Sequence, residues 1–421
     1  MRVLIVNTSE RTGGAAIAAW RLMAALNNNG IKAKMLVREK ETDQLTVVEL
    51  KKSLLNLWKF VWERVVIWKA NHFKQHNLFW VDIANTGVDI TSLPEFKQAD
   101  VIHLHWINQG MLSLRNIEKI LESGKPVVWT MHDMWPFTGI CHHADTCDRY
   151  MTECHDCPYL YGGGSKKDIA YKTFQKKKKL LAQSHITFVA CSQWLEGLAK
   201  KSALLQGQTV TNIPNAININ LFKPRDKQEA RRKCGLPADK KLLLFGSLKT
   251  TDKRKGVDYL IEACKLLKEK YPEMSDQLGV VIVGKEAEQV TQLLPFPVYN
   301  MDYVSDEKKL VDIYNAVDLY VTPSLQENLP NTIVEAMACG IPCIGFNVGG
   351  IPQMIDHLHN GYVAEYKSAD DFANGIHWAL SQGNYQELSE EACRKAITSY
   401  SEHTIAKKYI DIYNKVTHHG A

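Results

Sequence analysis

The chain has 421 residues, 45% of them hydrophobic and 23% charged, an ordinary globular composition that excludes a disordered polymer. A net charge of +5 is too mild to single out a nucleic-acid binder. No apolar run reaches the length of a transmembrane helix, and the chain length predicts two domains.

The opening MRVLIVNTSE reads as a first strand, because its apolar part is too short for a signal peptide; a cytoplasmic protein is expected. Five more strands follow: KAKMLVR, DVIHLHW, PVVWTMH, ITFVACS and TVTNIPN. Past residue 220 the pattern restarts with KLLLFGS, GVVIVG, PVYNM, DLYVTPS and PCIGF. Helical stretches such as 255–270 and 306–316 separate most of them, the signature of parallel sheets with crossover helices. The expected organisation is an α/β chain of two Rossmann-like domains. An N-terminal domain spans 1–215, and a C-terminal domain spans 216–400. A helix over 401–421 is free to pack back on the first domain. The joint falls in NIPNAININLFKPRD, rich in Asn and Pro. Ligands are expected at the carboxyl ends of the strands.

After the first strand comes NTSERTGGAAIAAW. Gly13 and Gly14 at a strand-to-helix turn permit close backbone approach to a ligand, and equally a plain tight turn. Arg11 beside them suits an anionic acceptor. Residues 51–74 read as an amphipathic helix. Leu54, Trp58, Val61, Val65 and Trp68 share one face, widened by Leu55, Trp62 and Val66, while Lys51, Lys52, Lys59, Arg64, Lys69 and Lys74 supply charge. Such a helix either packs on its own domain or lies on an anionic membrane. Basic residues gather again at 166–179.

His103 and His105 alternate along one strand and so share a face, while His132 and Asp133 end the next. Of ten cysteines, six (Cys191, Cys234, Cys264, Cys339, Cys343 and Cys393) are scattered and read as reduced core thiols. The other four, Cys141, Cys147, Cys154 and Cys157, form a Cys-rich insertion over 141–157. Four thiolates there suit a closed structural zinc site, with free thiols or disulfides as the alternatives.

From Asn328 to Ile355 the only formally charged residue is Glu335, within the apolar helix after LQENLP. A lone carboxylate there is costly unless it gains partners, and ribose hydroxyls are such partners. Helix-start N–H groups from Asn328, Leu329 and Asn331 onward suit a phosphate. Upstream, the loop of LLLFGSLKTTDKRKGVDYLIEA offers Arg254 and Lys255 to a diphosphate, unless it is an ordinary solvated loop.

Glu327 and Glu335 form an E-x7-E pair, followed by EAMACGIPCIGFNVGGIPQMI and GYVAE. This block resembles the nucleotide-sugar half of family-4 retaining glycosyltransferases of the GT-B fold. The resemblance implies two domains facing a central cleft and transfer from a UDP- or GDP-sugar to a glycan or lipid-linked acceptor. It also implies a cytoplasmic setting, either free or at the inner face of the plasma membrane. By resemblance, Glu335 anchors the ribose and Glu327 meets the donor sugar. Lys255 of the KG step neutralises the diphosphate, with Arg254 as second cation, and Gly13-Gly14 approach the donor phosphates. His132 contacts sugar or acceptor, and His105, Asp133 and Arg11 line the acceptor side. No metal is implied for catalysis. This sequence departs from the family in three places. NLP replaces the usual Gly-Phe-Gly, Ser247 stands where an Arg is common, and Gln353 stands where many members have an acid. A GT-B 2-epimerase and a non-catalytic nucleotide-sugar-binding module are the alternatives.

Overall fold

The computed structural model describes residues 1–51, 54–381 and 385–418, apart from the side chains at 54, 55 and 57. Lys52 and the side chains of Leu54 and Leu55, part of the predicted amphipathic face, lie outside the described residues. The chain divides into two compact units: Met1–Asn215 with Ile405–Ala421, and Ala216–Thr404.

The first unit is built on a seven-stranded sheet. Its strands are β1 (Arg2–Val6), β2 (Lys32–Val37), β3 (Val47–Glu49), β4 (Val101–Leu104), β5 (Val127–Met131), β6 (Thr187–Ala190) and β7 (Thr209–Asn212). Their order is β3-β2-β1-β4-β5-β6-β7, and every pairing is parallel. Both sheet faces are covered, so the strands read as continuous apolar runs such as VLIV and VVWTM. Chain order reverses between β1 and β4, the switch point where open α/β sheets leave a crevice. The loops there are laced together: Thr8 N–H and Oγ1 both donate to Trp106 O (2.9 and 3.0 Å), and Trp106 N–H donates to Asn7 Oδ1 (2.9 Å). The last helix, Glu402–His418, seats Tyr409 on Thr130 Oγ1 (2.8 Å) and Tyr413 on His103 Nδ1 (2.7 Å).

The second unit holds a six-stranded parallel sheet. It comprises β8 (Lys241–Lys249), β9 (Leu278–Lys285), β10 (Val298–Asn300), β11 (Leu319–Thr322), β12 (Cys343–Phe346) and β13 (Gly361–Ala364), ordered β10-β9-β8-β11-β12-β13. Its switch point lies between β8 and β11. Asp318, just before β11, is buried and holds the entry to both strands. It accepts from Leu242 N–H, Arg231 Nη2 and Lys227 Nζ, each at 2.8 Å. Arg231 also donates through Nε to Ala316 O at 2.9 Å, fixing the helix Lys227–Cys234 across the sheet edge.

The structure adds two strands to those expected, β3 and β13. The predicted helices 255–270 and 306–316 are observed as Val257–Lys270 and Glu307–Ala316. Replacing Asp318 strands a buried guanidinium and a strand N–H together. Asp318→Ala should therefore lower stability by about 3–5 kcal/mol, whereas Asp100→Ala, at the exposed Arg2 pair, should cost under about 1 kcal/mol. Thermal and urea unfolding of the two variants checks this; equal losses would contradict it.

Candidate functional site

In the second unit the residues of interest lie past the carboxyl ends of β8 and β11. The backbone forces them together. Gly256 has φ +69°, and a β-carbon there would sit 1.8 Å from Pro323 O, so only glycine allows the approach. Leu325 N–H donates to Arg254 O at 2.7 Å, sealing the loop 253–256 against the loop after β11. From the other side Gly349 has φ +58°, and its β-carbon would lie 1.7 Å from Glu327 O. Gly350 N–H donates to Asn328 O at 2.8 Å. The Glu327 loop is thus held between two glycines, which is the physical role of Gly256 and of Gly349-Gly350.

Held this way, Lys255 Nζ makes an ion pair with Glu327 Oε1. Lys255 keeps a third of its side-chain surface exposed, so its ammonium is available to a further anion. Arg254 turns instead to Asp252, with Nη2 2.6 Å from Oδ2. Glu335 is buried in the eight-residue helix Asn331–Ala338, whose N-cap is Pro330, and accepts from Tyr314 OH at 2.8 Å. That phenol answers part of the cost of the lone carboxylate. Asn328 and Leu329 are buried in the loop leading to this helix. Two further polar atoms belong here, neither assigned a role from the sequence: Ser247 Oγ at the end of β8 and Gln326 Oε1 beside Glu327 are buried without a hydrogen-bond partner. Their signal was present as an Arg-to-Ser departure and a Gln preceding the first Glu.

In the first unit the alternation of β4 places His103 and His105 side by side, ring centroids 4.4 Å apart. His105 Nδ1 meets His132 Nε2 at 2.9 Å, and His132 Nδ1 lies 3.4 Å from Cys191 Sγ. Both ring nitrogens of His132 therefore have protein partners, whereas His105 Nε2 is buried with none. Burial lowers the pKa of His103 to about 3. It also lowers His132 to about 4, against the pull of Asp133, so this row is neutral imidazole. His105 is lowered too, by burial and then by the charges of His103 and His132.

Asp133 is saturated by protein donors: Trp135 N–H (2.9 Å), Trp106 Nε1 (3.0 Å) and His142 Nδ1 (2.8 Å). His142 Nε2 in turn meets Asp82 Oδ2 at 2.7 Å, and Asp82 pairs with Arg64. Burial opposes charge on His142, but Asp133 and Asp82 outweigh it and raise its pKa to about 10. Burial likewise opposes charge on Asp133, and His142 brings its pKa down to about 2. Neither His142 nor the buried Asp82 was singled out in the sequence, since the cluster joins residues far apart in the chain.

Gly13 caps the helix Gly14–Asn28 with φ +91° and open space where a β-carbon would stand. Arg11 lies over the Trp20 ring at 3.6 Å, with Nη1 buried and unpartnered. Cys141 and Cys157 are buried and Cys147 and Cys154 half-buried, all as free thiols. Burial raises their region's thiols, Cys154 to about 11 and Cys157 to about 12. Among the described residues no three His, Cys, Asp or Glu side chains converge as a metal site.

Two Rossmann-like units on parallel sheets define the GT-B glycosyltransferase fold. Residues 226–397 match the model of the family Glycosyl transferases group 1. An uncharacterized glycosyltransferase of Methanocaldococcus jannaschii is 26% identical over 360 residues, 79% of this chain and 89% of that protein. A D-inositol 3-phosphate glycosyltransferase of Thermobispora bispora is 26% identical over 278 residues, 63% of this chain but only 59% of that protein. In fold, the chain is similar to sucrose-phosphate synthase from Thermosynechococcus elongatus, with TM-score 0.67, 17% identity and 99% of each chain covered. It is also similar to Anabaena HepE in complex with UDP-glucose, with TM-score 0.62, 18% identity, and 99% of this chain and 100% of that one covered.

The buried charges of the first unit make a pH prediction with a definite sign. His142 has a folded pKa above its ordinary 6.5, so its contribution is full below 6.5 and is lost as pH rises toward 10. Lys177, whose burial lowers its pKa to about 7, changes in the opposite sense over the same range. The two oppose each other in the wild type, so the difference between variants is the readout. His142→Gln should be less stable than wild type at pH 7, by on the order of 2–4 kcal/mol, and the gap should close by pH 10. Melting curves across that range check it; a gap that widens would overturn it.

Proposed function

We propose that the chain is a retaining glycosyltransferase. It moves a sugar from a UDP- or GDP-sugar to a glycan or lipid-linked acceptor, in cell-surface polysaccharide or glycan synthesis. The observation that carries this reading is the Lys255–Glu327 pair, set beside the Glu335 helix at the switch point of the second sheet. The unpartnered Ser247 Oγ and Gln326 Oε1 support it, since both await a polar ligand. So does the name of one solved neighbour, Anabaena HepE, crystallised with UDP-glucose. The free thiols suit a reducing, cytoplasmic compartment.

The chemistry follows from charge. As the bond to the sugar breaks, negative charge collects on the departing diphosphate, and a fixed cation stabilises it most in the transition state. Lys255 is that cation in our reading. Arg254 contributes once it exchanges Asp252 for phosphate, and backbone groups from Asn328 to Asn331 approach the phosphates. Glu327 accepts hydrogen bonds from the sugar, and Glu335, held by Tyr314, accepts from the ribose diol. His132, His105, Asp133 and Arg11 are assigned to the acceptor side; Asp133 acts there by fixing Trp106, since its own oxygens are taken. We favour departure and attack on one face, with the leaving phosphate taking the acceptor proton. The resemblance supplies no nucleophile at a matching position. Zinc at Cys141, Cys147, Cys154 and Cys157, should metal analysis find it, is structural in this reading.

Lys255→Ala should lower kcat by roughly a hundredfold or more while changing the donor Kd far less, because its partner charge grows only in the transition state. Unchanged turnover would remove Lys255 from the chemistry. Glu335→Gln keeps an acceptor for Tyr314 but loses the charge. It should weaken donor binding by about 1.5–3 kcal/mol with little change in melting temperature. Calorimetry with UDP- and GDP-sugars reads this, and intact affinity with a lowered melting point would make Glu335 structural. The transferred sugar should keep its anomeric configuration; an inverted product or an epimerised donor would refute the reading.

A further inference from the structure

The helix Leu54–Ala70 is turned the wrong way for a helix in water. Its two central charged residues, Glu63 and Arg64, face inward. Glu63 is fully buried and accepts from Ile83 N–H (2.8 Å) and Ala84 N–H (2.6 Å). Arg64, counted in the sequence among the solvated basic residues, is buried as well and reaches Val81 O (3.1 Å), Leu78 O and Asp82. Apart from the buried Ile67 and from Val66, which packs on the core, many of its described apolar residues face outward. Trp58 is 65% exposed and Trp62 55%, with Val61, Val65 and Trp68 completing the stripe at three- and four-residue steps. The apolar surface continues past the helix end. Phe73 stands edge-on to Trp68 at 4.9 Å, and Phe79 (63% exposed) and Trp80 follow. A soluble chain rarely leaves so many large aromatic side chains contiguous in water unless something covers them.

We propose that this face lies on an anionic lipid bilayer, the helix in the plane of the interface. Charge decides for lipid over protein. Within residues 51–80 the sole acid is Glu63, and it is buried, while Lys51, Lys69 and Lys74 are exposed. A surface that displays cations and hides its one anion is matched to anionic headgroups. Lysine is depleted in protein–protein interfaces, whereas tryptophan beside lysine is the composition of membrane-surface helices. No described helix is long and apolar enough to cross a membrane, so the contact is in-plane. The inward Glu63 and Arg64 hold the helix in this orientation without any membrane present, so the face is formed in advance. The inference does not depend on which sugar or acceptor the chain uses.

The test uses the full chain and vesicles of phosphatidylcholine with and without phosphatidylglycerol. Flotation should show binding that requires phosphatidylglycerol and weakens at high salt. Quenching of tryptophan fluorescence by brominated lipid should report insertion in the unaltered protein. Trp58→Ser with Trp62→Ser should lower binding about tenfold or more, with an unchanged circular dichroism spectrum, since both side chains are exposed. Ile397→Ser, an exposed apolar residue of the second unit, should leave binding intact. Absence of binding to any vesicle, equal binding to neutral vesicles, or full binding by the double variant would overturn the proposal. A concentration-dependent dimer abolished by the double variant would assign the face to a second copy of the chain instead.

Discussion

The loop that carries Glu327 passes between two backbones that leave no room for a β-carbon, at Gly256 and at Gly349. Everything proposed for the second unit depends on that constraint. The parallel order β8-β11-β12 brings three strand ends to one edge, and each contributes a segment: the Lys255 loop, the Glu327 loop and the Gly349 turn. Glycine at the two flanking positions lets them close to van der Waals distance. The ion pair of Lys255 with Glu327 is then a consequence of backbone packing. A half-exposed ion pair by itself contributes little stability. Its value here is placement: a cation and an anion held at a sheet edge where a charged, hydroxyl-rich ligand would meet both.

The first unit is organised around a different object, a run of buried charge. Glu63 and Arg64, Asp82, His142 and Asp133 alternate in sign from the inner face of one helix to the carboxyl end of β5. Each member alone would be too costly to bury; in sequence each neutralises the next. The neutral histidines beside it obey the opposite rule. With no counter-ion close enough, burial leaves His103 uncharged, and its ring is oriented by hydroxyls, Tyr413 on one nitrogen and Thr130 on the other. A charged network and an uncharged one thus stand side by side at the ends of β4 and β5, each selected by its partners.

Much of this was legible in the sequence because it is local. Apolar β-rich runs between helical stretches marked most strands of both sheets. β3 and β13 were not among the expected strands; Gly361 and Tyr362 blunt the apolar run of β13. Glu327, Glu335 and Lys255 stood out by spacing and by the apolar setting of Glu335. What sequence could not supply was partners distant in the chain. Tyr314 under Glu335, Tyr413 on His103 and His142 between two aspartates all depend on sheet order. The helix at 54–70 shows the limit most clearly. Its stripe of Trp and Val was readable, but whether that stripe faced in or out was not, since the answer lay in Asp82 and the N–H groups of Ile83 and Ala84.

Those N–H groups also explain why the helix is inverted. The irregular segment 81–84 is buried and carries two backbone donors, at Ile83 and Ala84, that need acceptors, and a carboxylate meets both at once. Placing Glu63 there introduces a charge, which Arg64 and Asp82 then complete. Burial and the nearby Asp82 raise the Glu63 pKa to about 7 despite Arg64, the mark of a carboxylate held where water would not put it. With Glu63 and Arg64 committed to the interior, the opposite face, carrying Trp58, Trp62 and Trp68, is left at the surface. The same Asp82 that fixes the helix also grips His142, and through it Asp133 at the strand edge. The outward tryptophans and the strand-edge site are therefore two ends of one hydrogen-bonded structure.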